Sequence, residues 1–291
     1  MTSVRSRKAP EPPKKEIPRA VSIIVPTYNE VDNVRPLCER IFVAMKEAEI
    51  ETEVLIVDDE SPGSAATVKI VNELIEEGKN VKIHCRAKED GKGLSSAVLL
   101  GFQMAEHLIV MCMDADLQHE PESLPAIADP ILKGEAEFVT GSRNCRGGGV
   151  GFKWSLFRRI LSWGATLLAW PVAWSTDPMS GFFAVKKQAV MRAKRRINPI
   201  GFKIGLEIMA RARCDPVKDV PITFRERAAG ESKLSGKQSF LYLKQLAALY
   251  WDHYEVLLIF FFIVGIFLWL FIIQWTIYFL QEYVGIKILN D

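Results

Sequence analysis

The sequence predicts an α/β protein with a mostly parallel sheet, an amphipathic segment at a membrane surface and one C-terminal transmembrane helix. Over residues 21 to 143, short β-rich runs alternate with helical patterns. The runs lack a clean apolar/polar alternation, which marks strands buried on both faces. Far downstream, residues 256 to 280 contain no charged side chain.

The strand-like runs are "VSIIV" from Val21, "VLIVDD" from Val54, "VKIHC" from Val81, "LIVMCMD" from Leu108 and "EFVTGS" from Glu137. Helical patterns begin near Glu30, Gly63, Gly93 and Glu122. Ligands of parallel sheets sit at the carboxyl ends of strands. Here those ends carry "PTYNE", "DDESP", "RAKEDGKG", "DADLQ" and "GSR", so polar groups are predicted to gather on one edge.

After Gly147 to Gly149 comes "FKWSLFRRILSWGATLLAWPVAW", rich in Trp and Leu but interrupted by Arg158, Arg159 and Pro171. Such interruption suits a helix lying on a membrane surface over about residues 150–175 better than a bilayer span. The alternative is a helix packed on the sheet. The run from Val256 to Leu280 would extend roughly 37 Å as a helix, enough to cross a bilayer with some tilt. Trp251, Tyr254, Tyr278 and Tyr283 lie near its ends, as interfacial aromatics do. Lys233, Lys237 and Lys244 precede it, so the positive-inside rule keeps residues 1 to 255 cytosolic.

Composition narrows the function classes. A 291-residue chain that is 49% hydrophobic can bury a full core, and one domain of roughly 200 residues plus added segments is the natural division. The net charge of +2 gives no global field for nucleic acid. Residues 1–20 are basic and proline-rich, and are predicted to form a disordered tail without the apolar core of a secretory signal. Cys38, Cys85, Cys112, Cys145 and Cys214 have neither the number nor the spacing of a disulfide framework or a zinc site, and fit a reducing compartment.

"IVMCMDADLQHEP" carries the chemistry. Residues i and i+2 of a strand point to the same face, so Asp114 and Asp116 converge where the strand stops. Close carboxylates repel unless a cation lies between them. With Gln118 adjacent, the donors suit Mg²⁺ or Mn²⁺ sharing its coordination with a diphosphate. His119 is read as a solvated loop histidine rather than a ligand. "GKGLSS" from Gly91 lacks the third glycine of a dinucleotide fingerprint and the spacing of a P-loop. No shared spacing links His84, His107 and His253.

"VSIIVPTYNE", "LIVDDESP", "DADLQHEP", "GSR", "SGFFAVKK" and "FRERAAGESKLS" resemble, in order and spacing, glycosyltransferase family two, and "GESKL" is similar to its polyprenyl-phosphate branch. The resemblance covers about residues 20 to 245 and implies a Rossmann-like glycosyltransferase A-type fold, with a catalytic domain over 21–245 and an anchor over 246–291. It implies transfer of mannose from GDP-mannose to dolichyl phosphate, with inversion, at the cytosolic face of the endoplasmic reticulum membrane. The product would be dolichyl β-D-mannosyl phosphate, a donor for protein glycosylation and GPI-anchor assembly.

By this resemblance Pro26, Tyr28, Glu30, Val57, Asp58 and Asp59 hold the nucleoside. Asp114, Ala115, Asp116 and Gln118 bind metal, diphosphate and ribose edge. Lys203, Arg227 and Lys233 meet the donor phosphates, and Arg143, Arg158 and Ser162 the lipid phosphate. Asp116, Arg143, Arg227 and Lys233 are the expected catalytic residues. "DDESPGSAAT" departs from the family pattern in that loop. An already ionised phosphate acceptor needs no general base, only orientation and charge neutralisation. No nucleic acid and no obligate protein subunit are expected. Glucose transfer from UDP-glucose, or a catalytically silent membrane scaffold, are the alternatives.

Overall fold

The computed structural model describes residues 18–87, 92–152, 156–226 and 236–283. The predicted N-terminal tail up to residue 17 lies outside them, as do Arg227, Lys233 and all of "GESKL".

Among the described residues, seven strands form one sheet in the order β3-β2-β1-β4-β7-β5-β8. β1 (Ala20–Thr27), β2 (Glu51–Asp58), β3 (Val81–Cys85) and β4 (Ile109–Cys112) pair in parallel. β7 (Phe183–Lys186) runs antiparallel between β4 and β5 (Phe138–Ser142), and β8 (Val217–Pro221) pairs in parallel with β5. The sheet is therefore mixed, though mostly parallel. β6 (Gly149–Val150) and β9 (Thr223–Phe224) make a small second sheet beside its edge.

Both faces are buried, as the unbroken apolar runs require. Val21, Ile23 and Val25 of β1 pack under α1 (Val31–Glu47), α2 (Ser64–Glu76) and α4 (Leu124–Leu132). On the other face, Ile24, Leu55 and Val110 meet α3 (Leu94–Met104), α6 (Lys187–Ala193) and α7 (Ile204–Arg211). α3 lies flush on β1 because Gly101 has no side chain. A Cβ there would come within 2.6 Å of Ile24 Cγ2.

α8 (Gly236–Tyr283) continues for 48 residues across the expected boundary at 246. Its first half joins the core through Leu246 and Leu249. Tyr242, Tyr250 and Tyr254 donate hydroxyl hydrogen bonds to the carbonyls of Ala165, Leu168 and Pro171 at 2.7, 2.9 and 2.8 Å. α5 (Leu156–Ala169) is thereby held along α8. Leu156, Ile160, Leu161, Trp163 and Leu167 are exposed on it. The second half of α8 contains Leu257–Leu280, an apolar stretch long enough to cross a membrane, with no buried residue in it.

Candidate active site

The carboxyl edge of the sheet collects the predicted groups because β1, β2, β4 and β5 all end there. The loops after β1, β2 and β4 each contain a non-glycine residue in the left-handed region: Asn29 (φ 59°), Glu60 (φ 53°) and Leu117 (φ 59°). Such residues cost of order 1 kcal/mol each and gather where a loop is constrained by function.

On the nucleoside side, Pro26 stands opposite Val57 and Thr27 opposite Asp58. Asp58 is fully buried and accepts bonds from Thr27 Oγ1 at 3.1 Å, from the Ser61 amide and hydroxyl at 3.2 Å each, and from the Ser64 hydroxyl. Its carboxylate thus closes the loop into α2. Asp59 accepts a 2.5 Å bond from Arg86 Nη1 and a 2.7 Å bond from the Gly93 amide. Arg86, fully buried, also donates to the Gly93 carbonyl and to Ser96 Oγ at 2.8 Å. Asp59 and Arg86 together fix the start of α3. Glu30 accepts from Asn33 Nδ2 at 2.8 Å, and Tyr28 is 48% exposed.

Asp116 is buried and accepts the Gln118 amide at 3.1 Å, while the Asp114 side chain is partly open. Gln118 gives its Nε2 to the Arg225 carbonyl at 3.1 Å and its own carbonyl accepts the Arg225 amide at 2.9 Å, which ties the loop to the chain after β9. His119 corrects the expectation of a solvated loop histidine. It is 3% exposed, stacks on Phe182 at 5.0 Å and meets Phe224 edge-on at 5.2 Å. Desolvation lowers its pKa to about 4, more than nearby Asp116 can offset, so the ring is neutral.

Two cations complete the edge. Arg143 grips Asp177 with Nε at 2.7 Å and Nη2 at 2.8 Å, and lies 5.3 Å from the Phe224 ring centre. Lys203, at the start of α7, donates to the Met179 carbonyl at 2.9 Å. Burial first, and then the Arg143 charge, lower the Lys203 pKa, while Asp114 and Asp177 oppose them. The structure thus draws Asp114, Asp116, Arg143 and Lys203 into one electrostatic neighbourhood. Arg158 and Ser162 sit on α5, the first exposed and the second half-buried.

The donors fit a hard divalent cation. Asp114 and Asp116 supply carboxylate oxygens, and a Cβ at Gly181 would come within 3.1 Å of Asp114 Oδ2, so the glycine preserves room there. His119 Nδ1 is buried with no hydrogen-bond partner among the described residues, 3.9 Å from Asp114 Oδ2. That is an orphan atom at the place where a bound ion would redraw the contacts. Among the described residues no three His, Cys, Asp or Glu side chains cluster as a metal cage. A cation here therefore needs ligand oxygens from outside those side chains, as Mg²⁺ or Mn²⁺ on a diphosphate has.

A model of the family described as "Glycosyl transferase family 2" matches residues 22–193, from β1 through α6. The chain belongs to this family. It is similar to a dolichol-phosphate mannosyltransferase of Mycosarcoma maydis, at 43% identity over 235 residues, covering 79% of this chain and 78% of the relative. The same name belongs to a Saccharomyces cerevisiae relative, 42% identical, covering 79% and 86%. A third, from Pyrococcus furiosus, is 41% identical and covers 87% and 72%. At this identity and coverage the glycosyltransferase falls among the dolichol-phosphate mannosyltransferases. Solved structures share its fold: glucosyl-3-phosphoglycerate synthase from Mycobacterium tuberculosis in complex with Mn²⁺ and UDP-glucose has TM-score 0.55 and 19% identity, covering 81% and 79%. Mannosyl-3-phosphoglycerate synthase from Rubrobacter xylanophilus has TM-score 0.54 and 18% identity, covering 80% and 74%.

Three buried charged groups of the glycosyltransferase escaped the sequence reading. Asp177 stands in "STDPMSGFF", directly before a motif that was recognised, but nothing in the spacing pairs it with Arg143. Arg86 carried a cue, a charge directly after the strand "VKIHC". Glu207, within the apolar run of α7, is buried against Arg211 Nε at 3.1 Å and Gln245 Nε2 at 3.0 Å.

Proposed function

We propose that the protein transfers mannose from GDP-mannose to dolichyl phosphate with inversion, producing dolichyl β-D-mannosyl phosphate at the cytosolic face of the endoplasmic reticulum membrane. One observation carries this reading: 41–43% identity, over most of both chains, to three proteins named for that activity.

The side chains at the sheet edge support a matching division of labour. Pro26, Tyr28, Glu30, Val57 and Asp59 would line the nucleoside, with Asp58 holding their loop. Asp114 and Asp116, with the Gln118 amide oxygen, would hold Mg²⁺ or Mn²⁺, which when bound neutralises charge on the leaving diphosphate. Ala115 would lie beside the ribose. Lys203, with Arg227 and Lys233 from outside the described residues, would face the donor phosphates. Arg143, with Arg158 and Ser162 on α5, would face the lipid phosphate. That phosphate is already ionised, so it attacks the anomeric carbon without giving up a proton to the protein. The protein's work is to bring several negative charges together and hold them in line.

Leu257–Leu280 would span the bilayer, with the preceding lysines on the cytosolic side, and the exposed apolar face of α5 would rest on its surface. The acceptor phosphate would then meet the sheet edge at headgroup level.

The full chain in detergent, given dolichyl phosphate and either radiolabelled GDP-mannose or UDP-glucose, tests the reading. Lipid-linked label is expected from GDP-mannose alone, lost with EDTA and lost in Asp116→Ala with the fold retained. Label from UDP-glucose alone would reassign the sugar, and label from neither would remove the assignment. Substantial turnover by Asp116→Ala would end the metal role.

A further inference from the structure

Arg143 is assigned to an incoming phosphate, yet a carboxylate already holds it. Asp177 is fully buried and accepts three bonds from this one residue: Nε at 2.7 Å, Nη2 at 2.8 Å and the backbone amide at 3.1 Å. Such a two-pronged fork fixes both the position and the plane of a guanidinium. The Arg143 side chain nevertheless keeps 14% of its surface exposed.

The loop that carries Asp177 is itself pinned. Ser175 Oγ and the Thr176 amide both donate to Asp219 of β8 at 2.7 Å, and the Asp177 amide donates back to Ser175 Oγ at 3.1 Å. Thr176 Oγ1 and Ser142 Oγ are 2.7 Å apart, which joins the loop to the residue before Arg143. A few residues on, the Met179 carbonyl accepts Lys203 Nζ, and Gly181 leaves space for Asp114. One loop between Ser175 and Gly181 therefore touches both cations and one carboxylate of the candidate metal pair.

A purely structural ion pair is a poor account of this arrangement. Burying two charges costs more than a neutral, well-packed pair of similar volume, so stability alone does not call for Asp177. Arg143 and Lys203, in contrast, are like charges in a half-buried site, and each disfavours the other without a nearby anion.

We infer that Asp177 is a positioning residue for sugar transfer: it sets the guanidinium of Arg143 in one orientation and lets two cations stand together before the phosphates arrive. This rests on the reading of Arg143 as the residue that meets the acceptor phosphate. Asp177 acts through Arg143 and does not itself touch a reactant.

A double-mutant cycle on the full chain in detergent tests the inference. In Asp177→Asn, kcat/KM for dolichyl phosphate should fall at least tenfold and the melting temperature should drop because a buried charge loses its partner, while GDP binding with Mn²⁺ stays close to wild type. Asp177→Glu should recover part of the loss. Arg143→Gln should lose at least as much, and Asp177→Asn added to it should cost little more. Equal further loss in the Arg143→Gln background would overturn the positioning role and leave the assignment of Arg143 standing. Full acceptor turnover by Arg143→Gln would defeat both. Should Asp177→Asn fail to fold, Asp177→Glu replaces it in the cycle, measured alone and combined with Arg143→Gln. Turnover by Asp177→Glu as low as that of Arg143→Gln, with GDP binding lost as well, would then count against positioning.

Discussion

Replacing His119 by Phe should make the protein markedly less sensitive to acid. The imidazole is 3% exposed between Phe182 and Phe224, and burial holds its pKa near 4 against an ordinary 6.5. As pH falls through 6.5 the unfolded chain takes up a proton that the folded chain refuses, and the difference persists until the folded ring protonates near 4. Each pH unit in that window costs about 1.4 kcal/mol, so the full loss is about 3 kcal/mol. Above pH 7 the ring is neutral in both states and contributes no such dependence. Phe keeps an aromatic ring in the stack and removes a nitrogen that has no hydrogen-bond partner among the described residues. Denaturant unfolding of the full chain in detergent, followed by tryptophan fluorescence at pH 7.5 and pH 4, compares the two proteins. The wild type should lose about 3 kcal/mol more than the variant over that range. Identical losses would refute a buried neutral imidazole.

Gly181→Ala places a methyl group 3.1 Å from Asp114 Oδ2. It should weaken Mn²⁺ affinity in the presence of GDP by about tenfold, equivalent to about 1.4 kcal/mol, with little change in melting temperature, and unchanged metal titration by calorimetry would contradict the crowding. Truncation after Glu255 removes Leu257–Leu280 but keeps Tyr242, Gln245, Tyr250 and Tyr254 on the core. The shortened protein should fold and be released from membranes by alkaline extraction, and persistent retention would rule out anchoring by that segment alone.

The strands β1, β2, β4 and β5 were legible because each is a largely apolar run bounded by turn residues, and their burial on both faces follows from the run itself, whereas β3, "VKIHC", is half-exposed and was legible from its β-branched residues and flanking turns. β7 was not, although "SGFFAVKK" stood out as a motif. Nothing local to four residues says that they will run antiparallel between β4 and β5. β8 was missed for another reason: "VKDVP" sits at the sheet edge, half exposed, and carries too few apolar residues to announce itself. Although both lie past the end of β4 at Cys112, with Asp116 in a turn, so that no strand period aligns them, the acidic pair Asp114 and Asp116 was legible as a D-x-D motif. Its neighbours were not, because Arg143 and Asp177 are 34 residues apart and Asp59 and Arg86 are 27 apart, distances over which only the folded chain decides the pairing. His119 misled because a polar residue in a polar loop suggests water, whereas the bridge to Phe224 folds a second strand over it.

α8 has a mechanical meaning beyond attachment. Between Gly236 and Tyr283 there is no proline, and a helix without one bends only gently. Three tyrosine hydroxyls and the Gln245 bonds to Glu207 and to the Lys203 carbonyl clamp its first half to the globular body. Its apolar half therefore behaves as the shaft of a lever whose head is the sheet. With a rise of about 1.5 Å per residue the apolar stretch Leu257–Leu280 measures roughly 36 Å, so a few degrees of tilt at one end become a few ångströms of travel at the other. Were that stretch to cross a bilayer, its thickness would bear on that tilt and so on the attitude of the strand ends toward the lipid surface.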